Sequence, residues 1–326
     1  MVIHTDFSGN YIEDPIRNFD LVSSGMGHAT LHIGINIDIK KYIKKYKRHK
    51  LQYYLEFEEP NKFWSKDWML KLKNSHLFDN IFTLCPFTAD YLNKRFYNEN
   101  KCIPIFFPFN KQKIPKSDQK QINVIYSGLP HTLFQRDLIS CVKEFPKHAI
   151  ISYDAEIATH TNTTYSQKMA LYGQSKIAVV HNLLENDRDT KCSDLEILAN
   201  QAGLSQIHMN KCFRHLEDFK IVPQLKSRLF EAAFSKSLIL CKKDPFCLIE
   251  RYFSEKEDFL YFSSLDELRD LIKNVIQNYS RYEPLARNAF KKAVNNYTTD
   301  HLLALIQSHY EKKTKTISFF LRKRFG

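Results

Sequence analysis

Residues 223–241 read PQLKSRLFEAAFSKSLILC, a helix pattern followed at once by a strand pattern. Apolar residues recur three and four positions apart over residues 226–234, which predicts an amphipathic helix. Residues 238–241 form a short apolar run after polar neighbours, which predicts a buried strand. Helices that alternate with buried strands are typical of an α/β protein with a parallel sheet.

The same alternation extends over most of the chain. Strands are predicted at residues 32–39, 51–57, 79–84, 122–128, 149–153, 176–182 and 259–262, and helices near 88–93 and at 166–172 and 265–277. Residues 102–109 should be extended, because two prolines there oppose a helix. A chain of 326 residues is long enough for two domains or one large domain, and the polar stretch 110–121 is the best candidate for a linker.

Composition narrows the class of protein. The chain is 43% hydrophobic and 26% charged, which excludes a disordered protein, a collagen and a coiled coil. Its net charge of +12 favours a polyanionic partner: a nucleic acid, an anionic membrane surface or a phosphorylated substrate. The seven cysteines are scattered without a CxxC pair, as expected in a reducing compartment. Since there is no signal-peptide pattern and no apolar run of about 20 residues, we expect a cytoplasmic protein.

The predicted helix at residues 226–234 carries charges whose spacing suits a nucleotide. Arg228 and Glu231 are three positions apart and share one helix face. Lys226 and Arg228 would lie in the first turn, where the helix dipole and the free N–H groups attract an anion such as a diphosphate. The Glu231 carboxylate, one turn further on, could accept two hydrogen bonds from a ribose. The alternative is a solvated ion pair between Arg228 and Glu231 on a surface helix.

Residues 225–233 (LKSRLFEAA) resemble the donor-binding helix of GT-B glycosyltransferases of the spore-maturation and polysaccharide-synthesis type. The likeness continues through residues 244–268 and 286–298. It implies two Rossmann-like domains facing a central cleft. They would span residues 1–112 and 122–305, with a linker at 113–121 and a basic tail at 306–326. Two positions depart from the family pattern: Pro223 stands where many members have a second acidic residue, and Lys236 stands where they have glycine.

The resemblance also implies roles for individual residues. Glu231 would bind the ribose of a nucleotide sugar, and Arg228 with Lys226 would hold its diphosphate. Ser127 and Gly128 would line the same cleft, because they end the predicted strand at 122–128 and open α/β sheets bind ligands beyond their strand ends.

The first domain should then hold the acceptor and a catalytic base. Gly25 and Gly27 form a glycine turn before His28, whose imidazole could deprotonate an acceptor hydroxyl. Glu59 belongs to an acidic cluster after the predicted strand at 51–57, and crowded carboxylates raise one another's pKa enough to produce a base. The alternatives are an ordinary loop histidine and a solvated acidic turn.

Residues after the predicted strand at 176–182 have more than one interpretation. His181 could face the donor, whereas Asn182 beside it could cap a helix. The triplet Asp187-Arg188-Asp189 has the look of an acidic metal motif but lies in a charged insertion. Because no HExxH motif or Cys/His cluster is present, we expect no metal and no cofactor besides the nucleotide sugar as co-substrate.

We therefore expect a metal-independent glycosyltransferase that moves a sugar from a nucleotide diphosphate sugar to a hydroxyl of a glycan or lipid-linked acceptor in surface polysaccharide synthesis. The segment from Lys40 to Lys50 and the C-terminal tail interleave cations with apolar residues, which would suit peripheral binding to the anionic inner face of a membrane. One alternative is a nucleotide-binding α/β protein without transferase activity. Another is a DNA-binding protein in which residues 194–219 supply a helix-turn-helix, although we expect no nucleic-acid partner.

Overall fold

The chain is described by a computed structural model over residues 2–6, 29–34, 51–56, 78–93, 101–111, 114–115, 119–130, 133–185, 221–244 and 246–325. Within these residues it forms two five-stranded sheets, each parallel throughout, and a short antiparallel pair of strands. The expected α/β class with parallel sheets is confirmed.

The first sheet has its strands side by side in chain order. They are β1 (Val2–Asp6), β2 (Ala29–Gly34), β3 (Leu51–Glu56), β4 (Asn80–Thr83) and β5 (Cys102–Pro104). Helix α1 (Pro86–Leu92) follows β4 and has a proline at its start, where the missing N–H costs no hydrogen bond. The extended run predicted at 102–109 pairs with β4 as far as Pro104, and the backbone N–H of Ile105 adds a hydrogen bond to the Thr83 carbonyl at 2.8 Å.

The strands of the second sheet and the helices between them are β6 (Ile122–Ser127), α2 (Leu133–Lys143), β7 (His148–Ile151), α3 (Tyr165–Gly173), β8 (Ser175–Val180), α4 (Ser227–Phe234), β11 (Leu238–Lys242), β12 (Phe259–Phe262) and α5 (Leu265–Gln277). Side by side in the sheet, the strands have the order β12-β11-β8-β6-β7. Strands β9 (Leu183–Glu185) and β10 (Ile221–Pro223) form the antiparallel pair. A 3₁₀ turn (Leu248–Arg251) and helices α6 (Tyr279–Asn296) and α7 (Thr299–Phe325) complete the described chain.

Aromatic and aliphatic side chains fill both faces of the second sheet. One cluster on its α4 side includes Phe230 and Phe234 and continues into Phe109 and into Phe82, which belongs to β4 of the first sheet. Phe109 stacks on Phe234 at 4.6 Å between ring centroids. The high aromatic content of the sequence is therefore used where the two sheets approach each other.

Backbone and side-chain contacts also tie the last helices to the first half of the chain. The backbone of Phe109 exchanges hydrogen bonds with Tyr297 and Thr299, on either side of the junction between α6 and α7. The Tyr252 hydroxyl donates to the Ile105 carbonyl at 2.9 Å. Helix α7 runs unbroken through residue 306, where the basic tail was predicted to begin, and Ile306 is part of the buried core. Among the described residues, no helix is both long and apolar enough to cross a bilayer.

Helix α4 is followed by a lysine in the left-handed backbone conformation that glycine usually adopts. Lys236, which stands where the resemblance led us to expect glycine, has φ +52° just after the Ser235 C-cap. Helices often end with a residue in this left-handed region, where glycine pays no steric cost. The Lys236 ammonium lies 5.1 Å from the centre of the Phe290 ring, a contact that compensates part of the cost.

Helices α3 and α4 are joined at their carboxyl ends by a residue of the predicted linker. The Lys120 ammonium donates to the carbonyls of Gly173 at 2.9 Å and of Ser235 at 3.0 Å. A cation at this position also offsets the negative ends of both helix dipoles. The Ser237 hydroxyl adds a bond to the Tyr172 carbonyl at 2.7 Å. The two helices are therefore held together at one end.

Replacing Lys120 with methionine should weaken this junction. The variant keeps most of the apolar side chain but loses two hydrogen bonds from a charged donor, so we expect the free energy of unfolding to fall by about 1–3 kcal/mol. Urea denaturation measures this loss. Lys291→Met, at an exposed position of α6, is the matched control and should change stability little. Equal stability of the two variants would contradict the role of Lys120.

Candidate functional site

The candidate site lies at the edge of the second sheet where the parallel strands end. Ser127 is the last residue of β6, and His181 directly follows β8. Helix α4 begins at the same edge, so it brings Arg228 next to both of these strands. This edge is where open α/β sheets bind ligands. The donor-binding residues predicted from the sequence are thus gathered in one place.

Arg228 is held on three sides. Its guanidinium lies 5.3 Å from the centre of the Tyr126 ring, and Nη1 lies 3.4 Å from Nε2 of His181. A Cβ atom at Gly128 would come within 2.8 Å of both Nη atoms, and Gly128 has φ +155°. Only glycine gives the guanidinium this space. Burial alone would lower the pKa of Arg228, but the Tyr126 and Tyr172 hydroxyls outweigh it and raise the pKa, so the side chain stays cationic.

His181 is fully buried and acts as a hydrogen-bond acceptor toward Arg228. Its Nδ1 lies 2.9 Å from the Leu183 carbonyl, which can only accept, so Nδ1 carries the proton. Nε2 is then left to accept from the Tyr126 hydroxyl at 3.2 Å and from Arg228. Burial and the positive charges of Arg228 and Lys226 hold the pKa of His181 well below its usual value. His181 therefore faces the arginine and stays neutral at physiological pH.

Asn182 fixes the start of α4. Its side-chain oxygen accepts a hydrogen bond from the backbone N–H of Lys226 at 3.2 Å, and its backbone carbonyl accepts one from Gln224 at 2.7 Å. Lys226 is the N-cap residue of α4, and its own side chain makes no capping bond. The capping role considered for Asn182 is thus observed, although the cap comes from a neighbouring strand rather than from the helix itself.

Glu231 lies one turn further along α4 and is 1% exposed. Its carboxylate pairs with Lys168 of α3, at 2.7 Å from Nζ to Oε2, and not with Arg228 in a solvated pair. Neither carboxylate oxygen accepts a hydrogen bond of normal geometry from the described residues. A buried carboxylate with spare acceptor capacity is costly unless a partner such as a ligand completes it.

Three residues of this site were not found by sequence reasoning: Tyr126, Lys168 and Tyr172. Burial raises the pKa of Tyr172, and the nearby Glu231 carboxylate raises it further, so its hydroxyl keeps its proton. Each of the three lies on an element that the sequence predicted. No local pattern marks them, because their partners are remote in the chain and meet them only after the sheet has formed.

The acceptor-side and catalytic predictions, and three others, lie outside the described residues. These are the glycine turn Gly25 and Gly27, the candidate bases His28 and Glu59, the basic stretch from Lys40 to Lys50, the triplet Asp187-Arg188-Asp189 and the helix-turn-helix candidate at 194–219. In the part of the chain that is described, no group of three or more His, Cys, Asp or Glu side chains could hold a metal ion.

The depressed pKa of His181 predicts a pH dependence of stability. Between the folded pKa and about 6.5, the unfolded chain binds a proton that the folded chain does not, so stability falls as pH falls. We expect the native protein to lose up to about 1.4 kcal/mol per pH unit more than His181→Asn below pH 6.5. Urea denaturation from pH 5 to 7.5 measures the difference between the two proteins. Parallel curves would show that His181 titrates normally.

Comparison with known proteins places this geometry in a family. The glycosyl transferase-like family model matches residues 135–308, more than half of the chain. A comparison with curated protein sequences found no match. Similar solved structures include TarM of S. aureus in complex with UDP, α-GlcNAc-glycerol and fondaparinux, with a TM-score of 0.55 and 11% identity over 86% of this chain and 55% of TarM.

Two further structures are similar in the same way. The pneumococcal O-GlcNAc transferase GtfA, in complex with UDP and GlcNAc, has a TM-score of 0.53 and 12% identity over 87% of this chain and 56% of GtfA. HepE of Anabaena, in complex with UDP-glucose, has a TM-score of 0.55 and 9% identity over 88% of this chain and 78% of HepE. The chain spans about half the length of TarM and GtfA. It has the GT-B fold of these proteins and belongs to the glycosyl transferase-like family.

Proposed function

We propose that this protein transfers a sugar from a nucleotide diphosphate sugar to a hydroxyl of a glycan or lipid-linked acceptor in surface polysaccharide synthesis. The observation that carries the proposal is the buried Glu231 carboxylate, one helical turn beyond the cationic Arg228. This carboxylate pairs with Lys168 but accepts no hydrogen bond of normal geometry from the described residues. A ribose offers two adjacent hydroxyl donors to the carboxylate, and a diphosphate offers negative charge to the Arg228 guanidinium. Both groups are parts of a nucleoside diphosphate, in which the diphosphate is joined to the ribose.

Uridine is the first base to test. TarM and GtfA were crystallised with UDP, and HepE with UDP-glucose. The present residues give no reason to prefer another base, so UDP-glucose is the donor with which the proposal starts. The acceptor is proposed on the same footing, since TarM and GtfA were crystallised with saccharides.

In the proposed reaction the bond between the anomeric carbon of the sugar and the diphosphate oxygen breaks. A bond from the acceptor oxygen to the same carbon forms, and the acceptor proton passes to a base, for which His28 and Glu59 are the candidates. Arg228 would stabilise the negative charge that develops on the leaving diphosphate, and Lys226 at the N-cap would add to it. Because fixed cations can do this, we propose that no metal ion is needed.

His181 and Gly128 would serve this step through Arg228. The imidazole aims the guanidinium, and the missing Cβ gives it room. A cation that is already oriented does not have to rearrange when negative charge develops in the transition state, so its full interaction lowers the barrier. Ser127, at the end of β6, would line the diphosphate side of the same site.

The proposal predicts that UDP stabilises the protein and that Glu231 is needed for it. A ligand that binds only the folded chain raises the melting temperature, so UDP should produce a rise of several degrees with or without magnesium. Glu231→Ala should weaken UDP binding at least tenfold, because two hydrogen bonds to a charged acceptor are lost. Differential scanning fluorimetry and calorimetric titration measure both effects.

Glu257→Ala is the matched control, since Glu257 is exposed and precedes β12 at the opposite edge of the sheet. Unchanged UDP affinity in a folded Glu231→Ala protein would remove the ribose assignment. A protein that binds UDP but releases none from UDP-glucose with any acceptor tried would be a nucleotide-binding protein without transferase activity.

We also propose that the protein binds anionic membranes through its basic segments. The described part of the tail is helical to Phe325, and residues 314–326 contain Lys315, Arg322, Lys323 and Arg324. Each cation near an anionic surface contributes on the order of 1 kcal/mol. Removing residues 314–326 should therefore weaken binding to phosphatidylglycerol vesicles at least tenfold in sedimentation assays. Equal binding by both proteins, or equal binding to neutral vesicles, would contradict a role for the tail.

A further inference from the structure

The ion pair between Lys168 and Glu231 is well shielded from water. The Lys168 side chain is 19% exposed and the Glu231 side chain is 2% exposed. In each of the other ion pairs between described residues, at least one side chain is about a third exposed or more. Exposed pairs contribute little to stability, whereas a shielded pair costs free energy because both charges lose water. A pair of this kind therefore indicates a use other than stability.

A second buried carboxylate shows how a purely structural pair is built. Asp258 is 4% exposed, and its Oδ2 accepts hydrogen bonds from Lys292 at 3.1 Å and from the Ser254 backbone N–H at 2.8 Å. The Lys168 ammonium lies 2.7 Å from Oε2 of Glu231, yet neither oxygen of Glu231 accepts a hydrogen bond of normal geometry from the described residues. Asp258 is thus completed by the protein, whereas Glu231 has its charge offset and keeps its capacity to accept hydrogen bonds.

The start of α3 holds Lys168 in a fixed position. Thr164 and Gln167 form a capping box, in which the Thr164 side chain accepts from the Gln167 N–H at 3.2 Å and the Gln167 side chain accepts from the Thr164 N–H at 2.9 Å. The backbone N–H of Lys168 then donates to the Thr164 carbonyl at 2.9 Å. One turn further on, the Tyr172 ring centre lies 6.0 Å from the Lys168 ammonium. The ammonium therefore meets Glu231 from one defined side.

Arg228 is directed elsewhere, although it lies on the same helix as Glu231. Its guanidinium lies over the Tyr126 ring and beside His181, at the strand ends. The cation that meets the Glu231 carboxylate therefore comes from α3, through Lys168. A charged acceptor binds a donor about twice as strongly as a neutral one, so the strength of any hydrogen bond to Glu231 depends on this anion being held in place.

We infer that Lys168 is a positioning residue that offsets the charge of Glu231 and fixes its direction, so that the site distinguishes nucleotides with ribose hydroxyls from nucleotides without them. The inference rests on the proposed function, in which the Glu231 carboxylate accepts two hydrogen bonds from the ribose. Lys168 acts through Glu231 rather than on the nucleotide itself. If its ammonium is removed, the carboxylate loses the partner that fixes it, and the advantage of a ligand with two hydroxyl donors should be lost as well.

The test compares UDP with 2′,3′-dideoxy-UDP, which lacks both ribose hydroxyls, by calorimetric titration. The native protein should bind UDP more tightly by roughly tenfold or more, because hydrogen bonds to a charged acceptor are made only with UDP. In Lys168→Met the affinity for UDP should fall to near that for the dideoxy nucleotide, whose own affinity should change by less than about twofold. A residue that only stabilises the fold would change both affinities together.

Two further variants complete the test. Lys168→Arg keeps the charge and should restore most of the preference for UDP. Lys168→Met leaves a buried carboxylate without its cation, which is strongly destabilising. The double variant Lys168→Met, Glu231→Gln removes both charges, so it should fold at least as well as Lys168→Met alone and still show no preference for UDP.

Lys292→Met is the matched control, because it breaks the pair with Asp258, which precedes β12 at the opposite edge of the second sheet. It should melt at a lower temperature and keep the native preference for UDP. A native preference in Lys168→Met or in the double variant would overturn the role of Lys168. Failure of the proposed function is distinguishable, because the native protein itself would then bind both nucleotides equally or not at all.

Discussion

Asn182 accepts two hydrogen bonds, one at its backbone carbonyl from the Gln224 N–H and one at its side-chain oxygen from the Lys226 N–H, and the position of α4 in the site depends on them. They fix the first turn of the helix to the end of β8, the central strand of the second sheet. Once that turn is fixed, the helix repeat sets the direction of Arg228 and Glu231. Arg228 lies beside the ends of β6 and β8, and Glu231 contacts Lys168 of α3.

Placing these charged and polar groups in the protein interior costs free energy, because they lose their hydration. A buried imidazole, a buried carboxylate and a half-buried guanidinium lie within two turns of one helix and its neighbouring strands. The fold offsets the cost with specific partners: a neutral histidine and a tyrosine ring for the arginine, and a lysine for the glutamate. Groups that a fold keeps buried at such cost are typical of functional sites.

The sequence was informative wherever the signal was local. The pattern at 226–234 predicted α4 to within one residue, and the strand ends at Ser127 and His181 were found because buried strands read as apolar runs. The partners of those residues were not found. Spacing suggested that Glu231 would pair with Arg228, whereas it pairs with Lys168, because burial next to α3 matters more than helix spacing. Buried polar atoms without hydrogen-bond partners among the described residues have no sequence signature, because only the packing reveals them.

Lys120 joins the carboxyl ends of α3 and α4, the two helices that form one side of the candidate site. The two helices carry Lys168 and Glu231, which pair at 2.7 Å, so the helices are joined both at their ends and at the candidate site. The half of the site that they form is therefore assembled during folding, and little chain freedom remains to be lost at the moment of association. Residue 120 lies far from Glu231 in the sequence, yet it holds together the two helices that carry the proposed ribose partner and its lysine.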